Sequence, residues 1–170
     1  IVRMKTVTIT GKHNLDKFKQ SKTKQATRGT VNYEEPEHKQ QVILINKYFM
    51  DEKDTMNVVL SREINNKIRG YKSQDIKKNI FDESLIVNMA CVVEKLVISK
   101  LLCNYCRNPV KILFTAVRDE RQWTLDRIDN DVCHSNENTV ICCLKCNLER
   151  RVIDAKKFTF TKQLRITKSC

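Results

Sequence analysis

Two pairs of cysteines with the same short spacing constrain this chain more than any other feature. Cys103 and Cys106 form one C-x₂-C pair, Cys143 and Cys146 form the other, and 36 residues separate the pairs. Each such turn places two thiolates on one side, so two turns can supply all four ligands of a tetrahedral zinc site. Cys142 could replace Cys143, but only Cys143 keeps the spacing. The pattern predicts a structural zinc site, with a disulfide pair or unrelated free thiols as the alternatives.

The chain is strongly basic, and the excess of positive charge lies at its two ends. The net charge is +12 over 170 residues, of which residues 1–41 and 103–170 contribute +5 each and residues 42–102 contribute +2. This imbalance favours polyanionic partners, above all nucleic acid. The most apolar run, residues 85–102, contains charged side chains, so we expect no membrane span.

The scarcity of Gly and Pro, at 3 and 2 residues, disfavours an all-β sandwich and favours an α+β protein. Residues 1–57 are predicted to be a basic, partly extended arm, in which residues 41–50 form a strand or a short helix. Residues 58–102 are predicted to be helical. Residues 103–170 are predicted to form a zinc-braced domain that ends in a basic tail. A strand at most is expected near the start of the arm, over residues 2–9.

The apolar residues of the helical region recur at helical spacing. Ser61 is predicted to cap a first helix that Gly70 ends. Ser73 and Ser84 are predicted to cap two more, and the last of these has an apolar face that begins at Leu85. We expect these faces to pack in the core.

Beyond the first cysteine pair the pattern changes to alternation. Residues 110–116 and 123–125 alternate apolar and polar side chains on either side of a turn at residues 118–121, which predicts a β-hairpin. A further strand over residues 139–143 and a helix over residues 144–155 follow.

Two residues with oxygen atoms that can bind a metal ion lie between the cysteine pairs or directly after the second pair. Asp126 ends a predicted strand, and Asn147 directly follows Cys146. A carboxylate and an amide oxygen are hard ligands that suit Mg²⁺. Arg150 and Arg151 follow about one turn further along the predicted helix. Each residue alone is uninformative, since an aspartate before a turn is usually a cap.

The stretch LDRIDNDVCHSNENTVICCLKCNLERR, residues 125–151, resembles the HNH endonucleases. It is similar to the phage endonuclease VII type, and most to relatives in large DNA viruses and phages with the order LDRIDN…GH…N…C-x₂-C-N. The resemblance covers about residues 100–155. It implies a treble-clef-like ββα-metal fold, with strand, loop, strand and helix around structural zinc. It also implies hydrolysis of phosphodiester bonds with one Mg²⁺ or Mn²⁺ ion.

By this resemblance, Asp126 and Asn147 would hold the catalytic ion, and Asn138 would fasten the loop between the strands. The family histidine that follows the aspartate is replaced by Arg127. Arginine stays protonated and cannot accept a proton, although its guanidinium group can bind a phosphate. His134 is the best substitute base, and a hydrogen bond that braces the loop is the alternative role for it.

We therefore expect a metal-dependent endonuclease that cleaves DNA, with RNA as a second substrate option. Asp129 or a substrate phosphate are weaker candidates for the base. The residues expected to contact nucleic acid are Arg150, Arg151, Lys156 and Lys157. The alternative, which Arg127 favours, is an inactive HNH-like zinc module that binds nucleic acid or serves structurally in a virion or nucleoprotein assembly. We expect an intracellular or virion-associated protein, and a branched substrate would favour a homodimer.

Overall fold

Five helices and one two-stranded sheet make up the residues that the computed structural model describes, 26–29 and 33–164. In chain order they are α1 (His38–Phe49), α2 (Asn57–Lys77), α3 (Met89–Ile98), β1 (Trp123–Arg127), β2 (Thr139–Cys143), α4 (Leu144–Arg150) and α5 (Ala155–Gln163). The predicted α+β class is confirmed. The strand expected over residues 2–9 and the end of the basic tail lie outside the described residues.

The two strands pair with each other and lead directly into a helix. β1 and β2 are antiparallel, with Trp123 opposite Cys143 and Arg127 opposite Thr139. Cys143 ends β2 and is also the N-cap of α4. The described order is therefore strand, loop, strand and helix. Both strands are buried almost throughout, because the helices cover them.

The helices and the C-terminal part share one hydrophobic core. Residues from α1, α2, α3 and both strands belong to a single buried cluster, which includes Ile45, Ile64, Leu96, Trp123 and Ile141. Residues 41–50, open between strand and helix from sequence, lie mostly in α1. Much of the second half of the predicted arm is thus a helix that packs on this core.

The predicted β-hairpin over residues 110–125 is wrong, because β1 pairs with β2 instead. Gln41 of α1 satisfies the backbone that was expected to form the other strand. Its Oε1 atom accepts the N–H groups of Ile112 and Leu113 at 2.8 and 3.0 Å. Its Nε2 atom donates to the carbonyls of Leu113 and Pro36 at 3.1 and 2.9 Å. A buried side chain that satisfies backbone groups replaces a strand ladder here.

The predicted break at Gly70 is also wrong, since α2 runs through it to Lys77. The buried face of α2 continues beyond the glycine with Tyr71 and Asp75, so tertiary packing outweighs the local cost of glycine in a helix. Ser73 is not a cap but lies inside the helix, where its hydroxyl donates to the Arg69 carbonyl at 3.0 Å.

Three other predicted helix limits differ from the structure. α2 begins at Asn57 after its N-cap Met56, so Ser61 lies inside the helix and does not cap it. α3 begins after Asn88, whose side chain caps it by accepting the Cys91 N–H, and Ser84 lies in a turn held by Asp82. The last predicted helix, residues 144–155, is two helices. α4 ends before Arg151, which has a positive φ of 50°, and Asp154 caps α5.

Within residues 26–29 and 33–164, none of the helices combines the length and the apolar character that crossing a membrane requires.

Replacing Gln41 by Met should lower the free energy of unfolding by about 3 kcal/mol, because it leaves buried N–H and C=O groups without partners. The exposed Lys39 on the same helix gives the matched control, Lys39→Met, which should change stability by less than about 0.5 kcal/mol. Urea unfolding followed by circular dichroism measures both. Equal stability of the two variants would contradict this role of Gln41.

Candidate metal centre and the adjoining cavity

Four cysteine sulfurs from two distant turns come together beside the sheet. Cys103 and Cys106 lie on the turn that follows α3, Cys143 ends β2, and Cys146 lies in the first turn of α4. Their Sγ atoms all lie within 4.8 Å of one another. A tetrahedral zinc with Zn–S bonds of about 2.3 Å needs sulfurs about 3.8 Å apart. The Sγ atoms of Cys106 and Cys143 are 4.0 Å apart, so the cluster could hold a zinc ion.

Cys143 belongs to the cluster, and its neighbour Cys142 does not. The Cys142 Sγ lies 3.2 Å from the Thr124 hydroxyl on β1, and burial raises the pKa of Cys142 well above its ordinary value. The Cys143 Sγ accepts the Cys146 N–H at 3.4 Å at the start of α4. The Cys143 thiol donates to the Cys103 sulfur, which lowers the pKa of Cys103 and raises that of Cys143. A metal ion would displace the shared proton, because its ligands are thiolates. The four thiols are free, so the disulfide alternative is not found.

Tyr105 connects the first cysteine turn to β1 by a hydrogen bond. This residue lies between the two cysteines of the turn and is fully buried, and its hydroxyl donates to Asp126 Oδ2 at 2.5 Å. Burial and the hydrogen bond to Asp126 raise the pKa of Tyr105, so the phenol stays protonated and donates at neutral pH. The position of the Asp126 carboxylate therefore depends on the cysteine turn.

Arg150 binds the same carboxylate from α4. Its Nε lies 2.5 Å from Asp126 Oδ2, and its Nη2 lies 3.2 Å from Oδ1. The remaining guanidinium hydrogens go to the Arg127 and Ile153 carbonyls and to the Asn130 side chain. Arg150 is only 1% exposed. The expected contact of Arg150 with nucleic acid is therefore wrong, because its charge neutralises Asp126 inside the protein.

The other residues expected to contact nucleic acid are exposed but dispersed. Arg151 lines the cavity described below. Lys156 and Lys157 are exposed on α5 and are not among the residues that line the cavity.

Asp126 and Asn147, the expected ligands of a divalent ion, line the same cavity. The Asn147 Nδ2 donates to the Thr124 hydroxyl and the Leu125 carbonyl at 3.1 and 3.2 Å, which directs the amide nitrogen into the protein. Both Asp126 oxygens already accept hydrogen bonds, and Arg150 balances the charge of the carboxylate. As these side chains lie, Mg²⁺ or Mn²⁺ would have to compete with Arg150 for the Asp126 carboxylate, because such an ion needs a carboxylate oxygen.

His134 lies on the cavity and is held by Asp75 near the end of α2. The His134 Nδ1 is 2.7 Å from Asp75 Oδ1, and its backbone N–H donates to Asp75 Oδ2 at 2.7 Å. The imidazole stacks on Tyr71 with ring centroids 4.7 Å apart. The hydrogen bond that braces the loop is therefore present. No described residue offers a hydrogen-bond partner to His134 Nε2.

Burial keeps the His134 imidazole neutral, and the charges around it act in both directions. Burial lowers the pKa of His134 below its ordinary value, and the charge of Arg127 acts in the same direction, although Asp75 opposes both. The Nη1 of Arg127, which follows Asp126 on β1, lies 3.5 Å from Asp75 Oδ1. At neutral pH the imidazole is therefore able to accept a proton.

The cavity that joins these side chains is open and has a volume of about 470 Å³. Its lining includes Asp126, Arg127, His134, Asn147, Lys78 and Arg151. Lys78 and Arg151 are exposed, whereas Arg127 is buried. Since Arg150 already compensates Asp126, the cations of the lining give the cavity a positive charge that suits a phosphate group.

Asn138 holds the loop between β1 and β2. Its side-chain oxygen accepts the Asp129 N–H at 2.8 Å, and its Nδ2 donates to the carbonyls of Asp129, Val132 and Cys133. These contacts match the structural role that the resemblance implies for it. The Asp129 carboxylate accepts the Asp131 N–H and is not part of the cavity lining.

The residues of the site that sequence reasoning missed are Tyr105 in the first cysteine turn and three residues in or next to α2. Asp75, Tyr71 and Lys78, which directly follows the helix, lie outside the stretch that carries the resemblance. The available signal was their spacing, because Ile64, Tyr71 and Asp75 continue one helical face past Gly70. An acidic residue at such a position usually marks a solvated face, and the apolar pattern does not include it.

Comparison with known proteins gives no match to a family, to a curated protein or to a solved structure. The relation to HNH endonucleases therefore stays a prediction from the residues of the C-terminal part.

The purified protein should contain about one zinc ion per chain, as four thiolates in this geometry require. Cys103→Ser should lose the zinc and cooperative unfolding together, because metal binding and folding are coupled. Cys91→Ser, outside the cluster, should keep both. Elemental analysis and thermal unfolding measure the two properties, and stoichiometric zinc in Cys103→Ser would contradict the assignment.

Replacing Arg150 by Met should lower the free energy of unfolding by about 3–5 kcal/mol, because Asp126 then keeps a buried charge without its partner. Arg151→Met is the matched control and should change stability by less than about 0.5 kcal/mol. Adding Asp126→Asn to Arg150→Met should restore part of the loss, since the pair is coupled. Independent, additive effects in this double-mutant cycle would show that the two residues do not form the pair described.

Proposed function

We propose that the protein is an endonuclease that hydrolyses phosphodiester bonds of nucleic acid, with DNA as the expected substrate and zinc in a structural role. The observation that carries this proposal is that His134, neutral and held by Asp75, shares one positively charged cavity with Asp126, Arg127 and Asn147. A neutral imidazole beside cations is what activation of water next to a bound phosphate requires.

Each residue then has a distinct task in hydrolysis. Lys78 and Arg151 at the cavity rim bind phosphates of the strand. Arg127 contacts the scissile phosphate, as arginine does through its fork of N–H groups. His134 Nε2 takes a proton from water, and the water oxygen attacks phosphorus. The bond to the 3′ oxygen breaks as that oxygen takes a proton from solvent water in the open cavity. Asn147 offers its amide oxygen to the cavity.

The finer part of the proposal is a Mg²⁺ or Mn²⁺ ion at Asp126 and Asn147. Such an ion would polarise the phosphate and stabilise the leaving oxygen. Its binding requires that Arg150 release the carboxylate, because the ion and the guanidinium compete for the same oxygens. Whether cleavage requires Mg²⁺ or Mn²⁺ is therefore a separate question from whether the protein cleaves nucleic acid.

The second candidate is an HNH-like zinc module that binds nucleic acid, or is a structural part of a nucleoprotein assembly or virion, and does not cleave. The Asp126–Arg150 pair favours it, since the carboxylate is already neutralised. Arg127 in place of the family histidine points the same way. This candidate keeps the positive cavity as a binding surface and assigns His134 to the support of the loop.

Nicking of supercoiled plasmid and cleavage of labelled single-stranded DNA and RNA should be detectable in Mg²⁺ or Mn²⁺. His134→Ala should lower the rate by about 10²–10⁴, the usual contribution of a general base. His38→Ala, on α1 and away from the cavity, should cleave like the parent. Parallel reactions in EDTA, with retained zinc verified, show whether a second metal is needed.

Absence of cleavage by the folded, zinc-loaded parent on every substrate and metal would reject the endonuclease. Binding that falls steeply with added salt would then support the second candidate, because phosphate contacts release counterions. A Lys78→Ala/Arg151→Ala variant should weaken that binding and reduce its salt dependence, compared with the parent. Binding that is insensitive to salt would reject nucleic acid as the partner in both candidates.

A further inference from the structure

Asp75 is the only acidic residue that touches His134 among the described residues, and it comes from a helix that the C-terminal motif does not include. It is wholly buried, and its two oxygens are used by the same histidine, by Nδ1 and by the backbone N–H. A carboxylate buried in this way is costly unless its partners are fixed. The arrangement therefore requires an explanation beyond the packing of α2.

We propose that Asp75 is the positioning residue of the active site, which holds His134 as the Nδ1–H tautomer and so leaves Nε2 as the proton acceptor that faces the cavity. The inference rests on the proposed function, since a positioned base matters for cleavage only if the protein cleaves. It adds α2 to the machinery and assigns the role of the histidine to a particular ring atom.

The geometry fixes the imidazole in three independent ways. The Nδ1 contact with Asp75 sets the rotation of the ring, and the second Asp75 oxygen holds the backbone of the same residue, each at 2.7 Å. Tyr71 covers one face of the ring, at an interplanar angle of 26°. A carboxylate on one ring nitrogen makes that nitrogen the donor, so the other nitrogen carries the lone pair.

The charged and titratable groups around His134 determine what Asp75 does to the pH dependence. Asp75 and Tyr71 face it from α2, and Arg127 and Asp126 face it from β1. Burial and Arg127 lower the pKa of His134, whereas Asp75 and Asp126 raise it. Without the charge of Asp75, the acid limb of a pH–rate profile should move to lower pH, and the weaker base should lower the plateau.

Asp75→Asn tests this role in cleavage. The substitution keeps the size of the side chain and removes the charge, and it should lower kcat about 100-fold or more, with little change in KM. The acid limb of its pH–rate profile should shift to lower pH. Asp82→Asn, an exposed carboxylate outside the cavity, is the matched control and should cleave like the parent. A folded Asp75→Asn variant with the parental kcat and acid limb would overturn the proposal.

A second measurement does not depend on activity or on a folded variant. Nitrogen NMR of the ¹⁵N-histidine-labelled, zinc-loaded parent should show the His134 ring as the Nδ1–H tautomer, with a titration midpoint below that of an exposed histidine. Finding the Nε2–H tautomer would overturn the role of Asp75. If the parent does not cleave and the Nδ1–H tautomer is present, the endonuclease fails while the positioning by Asp75 stands.

Discussion

The meeting of four cysteine sulfurs within 4.8 Å is the constraint on which the C-terminal structure depends. It joins a turn after α3 to the junction of β2 and α4, and those two segments are far apart in the sequence. Because Tyr105 lies inside the first turn, the same junction places a phenol against Asp126. A metal ion in the cluster would thus fix the geometry of the cavity as well as the fold around it.

Hydrogen bonds from buried polar side chains, and not additional strands, connect α1 and α2 to the C-terminal part of the chain. Gln41 satisfies the backbone at Ile112 and Leu113, and Asp75 binds His134 through two contacts. Such contacts are directional, and leaving them unmade inside the core is costly. They therefore fix the orientation of α1 and α2 relative to the sheet more narrowly than apolar packing alone would.

The electrostatics of the cavity follow from two buried pairs with opposite consequences. The pair of Asp126 and Arg150 cancels a charge that would otherwise attract a cation. The pair of Asp75 and His134 keeps an imidazole in place at the lining of the cavity. Whether a second metal ion takes part in cleavage depends on whether Arg150 retains Asp126, because a soluble divalent ion must compete with this fixed internal cation for the carboxylate.

The sequence alone determined the α+β class, the four cysteines of the cluster and the residues that the motif brings to one cavity. The cysteine pairs are a local property, because C-x₂-C turns follow from spacing along the chain. The residues of the cavity were expected from the resemblance to HNH endonucleases. Only the tertiary structure decided the partners of the buried polar groups. Arg150 was expected at a phosphate and lies on Asp126, and residues 112–113 were expected in a strand and lie on Gln41. Asp75 continues a helical face, but that spacing did not reveal His134 as its partner. Each depends on which distant segment supplies a hydrogen bond, and pairwise contacts between remote residues leave no periodic trace in a single sequence.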